Sequence, residues 1–213
     1  MIDRPLAAAA GAGMDITQYS GQMVADVGGA TTDIAVIASG EMSARNTLPI
    51  AGDAFTDAII RFVRLKHNLL IGFHTAEDVK CAIGTVYPLG ESAVALPIAG
   101  RNLVSGLPKQ IEVTREEITE AMEEPLHQML EGLHAVIERV PPELANDVFE
   151  NGILLTGGGA AMKGLPEIIS EMMKIPCRAA ENPQQCVAVG CGKALERPAD
   201  FDRFLGDRRK TRR

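Results

Sequence analysis

No apolar run in this sequence is long enough to cross a bilayer, which takes about 20 residues, so no membrane-spanning helix is expected. No two cysteines are spaced CxxC and no His/Cys cluster has zinc-ligand spacing, which removes a zinc module from consideration. The four cysteines, Cys81, Cys177, Cys186 and Cys191, are expected as free thiols in a reducing cytosol. Internal repeats and low-complexity tracts are missing too. The start, MIDRPLAAAAGAGM, has no leucine-rich run and carries Asp3, so it is not read as a signal peptide. Positive charge is scarce outside one segment. Residues 203–213 hold six basic side chains against Asp207, a net +5, while the whole chain is −7 and the remainder therefore −12. An acidic body argues against nucleic-acid binding. The tail RRKTRR could meet anionic lipid or nucleic acid, or simply be a solvated terminus.

What remains is a globular composition. The 213 residues are 46% apolar and 23% charged, enough for a buried core in one large domain or two small ones. Aromatics are only 4%, with no Trp, but there are 21 glycines, so tight turns and close backbone contacts are expected. Residues 5–13 read as a small-residue helix stopped by glycine. Residues 22–28 and 32–38 read as two buried strands of a hairpin, and EMSARNTLPI as a third, more polar strand. In GDAFTDAIIRFVRLKHNL, Phe55, Ala58, Ile59, Phe62 and Val63 give one apolar helical face, with Asp53 as the expected N-cap. TAEDVKCAIG reads as a short helix capped by Thr75 and ended by Gly84. ESAVALPIAG and KQIEVT are strand-like. A long amphipathic helix follows, with Thr114 and Glu117 as a capping box, Pro125 as a kink point and Pro141–Pro142 as its end. GILLT, a glycine turn into a helix, the strand IPCRAA and a last small-residue helix complete an α/β pattern.

Three segments carry chemistry. In DVGGATTD a strand delivers Asp26 to a turn in which Gly28 and Gly29 permit positive φ and backbone amides can converge on an anion. Thr31 and Thr32 add hydroxyls, and Asp26 and Asp33 are oxygen ligands suited to Mg²⁺. A plain glycine hairpin has the same pattern. In LLTGGGAAMKG a strand again ends in glycines and runs into a helix, where a flat ligand can approach the backbone. In TAEDVKCAIG, Glu77 and Lys80 share a helix face, as a surface ion pair or as contacts for a ribose and a purine.

Together these segments resemble the actin-like ATPase superfamily, and within it the MreB group of bacterial cell-shape actin homologues. The match is carried by DVGGATTD, AGDAFTDAII, TAEDVKCAIG, PPELANDVFENGILLTGGGAAMKGL and CVAVGCGKAL, with LPIAGRNLVSGLPKQIEVTREEITEAMEEPL resembling a second subdomain. It covers residues 1–197. The resemblance implies the C-terminal lobe of the actin fold, a ribonuclease-H-like unit (1–84 and 146–197) with a small α+β subdomain inserted at 85–145 and a basic tail at 198–213. It implies ATP or ADP with Mg²⁺, the phosphates against Gly28, Gly29, Ala30, Thr31 and Thr32 and the metal near Asp26. Glu77 and Lys80 would meet ribose and adenine, and Gly157, Gly158, Gly159 and Ala160 would pack on the adenosine.

The sequence also departs from that pattern. The family has an N-terminal lobe with its own phosphate loop, and the match here begins at the interlobe helix, so half of a cleft site is not represented and weaker affinity is expected. Where the family has the glutamate that positions the attacking water, this chain has Arg4, which cannot act as a carboxylate base. Ala30 replaces a third glycine, adding a methyl and resisting positive φ. Asp33 replaces a glutamate. ATP hydrolysis is therefore left open, and no catalytic residue is assigned. The expected function is that of a truncated, cytoplasmic, cell-shape cytoskeletal protein that binds ATP and self-associates into filaments or joins a full-length MreB. The alternative is an inactive interaction module regulating such a protein or binding other cell-shape proteins. Membrane contact would be indirect or through the basic tail. A sugar-kinase or chaperone lobe would need a sugar pocket or a peptide-binding segment, and neither is visible.

Overall fold

The structure, a computed structural model, describes residues 2–87 and 94–196. Residues 88–93, where the first middle strand was expected to begin, and the tail 198–213 lie outside the described residues. In chain order the first half contains helix α1 (Arg4–Gly11), strands β1 (Gln22–Val27), β2 (Thr32–Ala38) and β3 (Glu41–Leu48), helix α2 (Gly52–His67), the two-residue strand β4 (Leu69–Leu70) and helix α3 (Phe73–Ile83). The second half contains β5 (Ala95–Asn102), β6 (Pro108–Thr114), α4 (Arg115–Ile137), α5 (Pro142–Asn151), β7 (Ile153–Thr156), α6 (Leu165–Met173), β8 (Cys177–Ala179) and α7 (Cys186–Glu196).

Five strands form the main sheet in the order β3-β2-β1-β7-β8. The first three make an antiparallel meander, and β7 and β8 add parallel to β1. Alternation along the strands sends the two sets of side chains to opposite faces. Met23, Ala25, Val27, Ile34 and Val36 join Phe55, Ile59 and Val63 of α2 and Met122, Met129 and Leu133 of α4 in the larger core. Val24, Ala35 and Ile37 face the other way, onto Leu6, Ala8 and Ala9 of α1. That second face is covered by small residues, and α1 and α7 lie almost backbone to backbone. A Cβ on Gly11 would fall 1.7 Å from the Cys186 carbonyl oxygen, and one on Gly190 would fall 1.8 Å from that of Ala7. A second, antiparallel sheet runs β4-β5-β6. Among the described residues no helix is long and apolar enough to cross a membrane, and all four cysteines are free thiols.

Several local expectations are corrected. Asp53 is not the N-cap of α2; Ala51 is, and Asp53 lies in the first turn. Thr75 does not cap α3, which begins two residues earlier behind Gly72. The long helix α4 does have its Thr114/Glu117 capping box and passes through Pro125, but it stops at Ile137 rather than at the proline pair. Pro141 and Pro142 instead start α5, as N-cap and first residue, where a missing N–H costs nothing.

Candidate functional site

The hairpin register sets Asp26 directly opposite Asp33. Residues opposite each other on paired strands point to the same face, so the two carboxylates are neighbours, an unfavourable arrangement unless a cation intervenes. Here the cation is Arg4, from the start of α1. Its Nε lies 2.6 Å from Asp26 Oδ2 and its Nη1 3.3 Å from Asp33 Oδ2. Nη1 also donates to Thr31 Oγ1 at 3.3 Å. Asp26 is fully buried. Its Oδ1 accepts from the Thr156 hydroxyl at 2.8 Å, across the β1–β7 pairing. Its Oδ2 has no hydrogen bond of good geometry, only the charge contact with Arg4. Asp33 is tied on its other side by the Thr47 hydroxyl at 2.6 Å.

The turn itself differs from the expectation. Neither Gly28 nor Gly29 has positive φ, and neither does Ala30, so the methyl of Ala30 strains nothing. Gly28 packs against the Arg4 guanidinium, and a Cβ there would lie 2.7 Å from the movable Nη2 and 3.0 Å from Thr31 O. The turn docks on the N-terminus of α2. The Gly28 carbonyl accepts from Gly52 N–H at 3.1 Å and the Gly29 carbonyl from Asp53 N–H at 2.8 Å. These bonds satisfy the orphan amides that a side-chain cap would otherwise serve, which is why Asp53 does not cap. The turn's own outward amides, of Gly29, Ala30 and Thr31, donate to no group among the described residues.

Helix α3 forms the next wall. Lys80 is nearly buried, and its ammonium reaches Gly52 O and Thr56 Oγ1 at 2.8 Å each and Glu77 Oε2 at 2.7 Å. An ammonium has three donors, and all three are committed inside the protein. Thr56 donates in turn to Glu77. Burial pushes the Glu77 carboxyl up, but hydrogen bonds from Lys80 and Thr56 outweigh it and hold the group below its ordinary value. Burial and the Glu77 charge push the neighbouring Cys81 thiol up. Lys80 thus ties α3 to the start of α2, and Glu77 keeps one oxygen toward the cleft with only a weak contact from Cys81 at 3.7 Å.

The third wall is the turn after β7. Gly157 has φ +81, and a Cβ there would lie 2.3 Å from Val27 O, so the turn is pressed against the end of β1. Gly158 and Gly159 then open a 3-10 turn beside the cleft. The three walls enclose a cavity of about 460 Å³, within the range of small-ligand sites. Gly28, Gly29, Glu77, Lys80, Gly158 and Gly159 line it together. The other expected site residues do not. Asp26 and Thr32 are buried beneath it, Thr32 donating to Ile50 O. Ala160 is buried, Gly157 is packed on β1, and Ala30 and Thr31 sit on the turn outside the lining. Sequence reasoning missed Gly52, Asp53, Met162, Lys163 and Gln184, which also line the cavity. The glycine-aspartate pair that opens α2 was the available signal for the first two.

The sequence matches the MreB/Mbl protein family over residues 1–203. The chain belongs to the MreB/Mbl family. It is 46% identical over 194 residues to the cell shape-determining protein Mbl of Bacillus cereus, covering 91% of this chain and 58% of that protein. It is 43% identical over 196 residues to the cell shape-determining protein MreB of Escherichia coli, covering 92% of this chain and 56% of that one. The chain therefore spans a little over half the length of these MreB/Mbl relatives. Among solved structures, MreB5 of Spiroplasma citri superposes with a TM-score of 0.88 bound to AMPPNP and 0.89 bound to ADP. It is 33% identical, and the match covers 96% of this chain and 61% of that one. The MamK double helical filament, 19% identical with a TM-score of 0.71 over 91% of this chain and 58% of its own, shares the fold. The expected actin-type α/β fold is thereby established.

The Mg²⁺ that the family resemblance implies does not fit at Asp26, the residue expected to lie near it. A magnesium ion needs oxygens open to coordination and room for its waters. Asp26 Oδ2 and Asp33 Oδ2 face the Arg4 guanidinium, and their Oδ1 atoms accept from the Thr156 and Thr47 hydroxyls. No group of three or more His, Cys, Asp or Glu side chains among the described residues is arranged to hold a metal.

Proposed function

We propose that this chain is a cell-shape cytoskeletal protein of the MreB type that holds an adenine nucleotide in the cavity between the 28–31 turn, α3 and the 157–159 turn. The observation that carries the reading is that three segments far apart in sequence converge on one cavity, whose lining includes Gly29 with an unused backbone amide and beside which the amides of Ala30 and Thr31 are unused as well. The nucleotide-bound MreB5 structures support it. The phosphates would lie along Gly28 to Thr31, the ribose toward Glu77, and the base against Gly158 and Gly159. Lys80 orders the wall and leaves recognition to its neighbours. Asp26 holds Arg4, and no step is assigned to Mg²⁺ or to hydrolysis. Self-association through actin-like contacts is proposed from the filament-forming relative, and a cytoplasmic location from the family's function in cell shape.

The test is direct. The purified full chain is titrated with ADP by calorimetry and spun at high speed with and without nucleotide. Binding that is lost in a variant with Gly158 and Gly159 both changed to Val supports the nucleotide reading, and its absence from the parent sinks it. Nucleotide-dependent pelleting supports filament contacts. The Arg4–Asp26 pair favours a second reading, an inactive module that regulates a full-length MreB. Co-pelleting with such a partner, and no ATPase alone, would select it.

A further inference from the structure

We propose that Arg4 takes the place of the divalent cation in this chain, so that its turn binds anionic phosphate by a guanidinium and backbone amides without metal. The inference deepens the nucleotide reading above and rests on it. The register makes a cationic partner necessary, because it sets Asp26 against Asp33 at the end of the hairpin. Asp26 is wholly buried, and its Oδ2 has no hydrogen-bond partner among the described residues. Either a metal ion or a protein cation can answer that charge. The guanidinium answers it, with Nε on Asp26 at 2.6 Å and Nη1 on Asp33 and Thr31 at 3.3 Å each. The guanidinium presents a fork of fixed shape that matches carboxylate geometry, so the position is filled by the protein itself.

One face of that fork is left over. Nη2 rests against Gly28, where a Cβ would come within 2.7 Å of it, and it donates to no described residue. Gly28 and Gly29 line the cavity, while the Arg4 side chain and the idle amides of Ala30 and Thr31 lie beside that lining. The Arg4 side chain is 44% exposed, so a ligand can reach it. A guanidinium N–H beside successive backbone amides is a chemistry for phosphate oxygens. Asp53, a further exposed carboxylate near Gly29, could ligate a metal only together with the phosphates themselves, which is why Mn²⁺ is measured without nucleotide.

The experiment measures metal and nucleotide separately on the full chain, its Arg4→Ala and Arg4→Lys variants, and an Arg4→Ala/Asp26→Asn double variant. Mn²⁺ alone is followed by electron paramagnetic resonance and by its effect on the melting temperature. ADP is titrated in EDTA and in MgCl₂. The parent should bind no Mn²⁺ and should bind ADP with affinities within about threefold in the two buffers. Arg4→Ala should lose about tenfold or more in EDTA, acquire a Mn²⁺ site and gain melting temperature from the ion. The double variant should acquire none. Arg4→Lys, which keeps a buried-side charge and so guards against a folding failure, should exclude Mn²⁺ yet bind ADP more weakly. ADP binding that requires Mg²⁺ in the parent, a Mn²⁺ site in the parent, or no Mn²⁺ site in Arg4→Ala would each overturn the proposal. If ADP binds in neither buffer, the nucleotide reading falls, and with it the phosphate half of this proposal. The Mn²⁺ measurements still decide whether Arg4 closes the carboxylate pair.

Discussion

The cavity is bounded by two glycine turns that leave adjacent strands of one sheet and are held by different forces. The turn after β7 is held by shape. Gly157 adopts a left-handed φ and sits where a single Cβ would meet the Val27 carbonyl. The turn after β1 is held by charge, with ordinary backbone angles and a guanidinium spread over two carboxylates. A shape-held turn is fixed whatever the solvent, whereas a charge-held turn answers to ions and to ligands that compete for its cation. One wall of the site is thus a rigid platform and the other an adjustable contact.

Gly157→Ala should break the first turn and cost the most. Left-handed strain and backbone overlap together predict a loss of about 3 kcal/mol or more in urea unfolding, unchanged by salt. Arg4→Ala should come next, at about 2 kcal/mol, because it leaves Asp26 buried and facing Asp33. Adding Asp26→Asn should restore most of that loss, and a double-mutant cycle in urea measures the recovery. An equal cost with and without Asp26→Asn would mean that charge does not hold this turn. Ala30→Gly tests the expectation that a third glycine would relax the turn. Because Ala30 has no positive φ, the change should destabilise by about 0.5 kcal/mol through chain entropy rather than stabilise. The smallest effect should be on acid unfolding. The folded pKa of Glu77 lies below its ordinary 4.5, so its contribution is present above that value and is lost as pH falls through the depressed one. Glu77→Gln should therefore lose that small contribution at neutral pH and flatten the acid limb, its melting curve converging on the parent's as pH falls through the depressed value.

Local features were legible in the sequence. The hairpin at Asp26–Asp33, the capping box at Thr114 and Glu117 and the end of α3 at Gly84 are decided by residues a few positions apart. Helix α5 was not, because the Pro141–Pro142 pair reads as the end of α4 when it is the start of a new helix. The strand β4 is two residues long and exists only through its pairing with Arg101 and Asn102. The capping of α2 was misread because its amides bond to carbonyls more than twenty residues earlier. The same distance hid the fate of Asp26. A carboxylate at the end of a strand looks available to a metal until the fold brings Arg4 onto it. Lys80, likewise, looks like a recognition residue until its three donors are counted.

The seam between α1 and α7 has a consequence for how the chain is made. Lys193 donates to Ala10 O across 183 residues, and the interlocked glycines admit no substitute partner for the alanine face of α1. On a translating ribosome α1 emerges well before the segment around Gly190 and lacks that partner until the segment has cleared the exit tunnel. The two helices can close only then, a long-range contact of the slow-forming kind. A stall before α7 would leave α1, and with it Arg4 and its two aspartates, without that support.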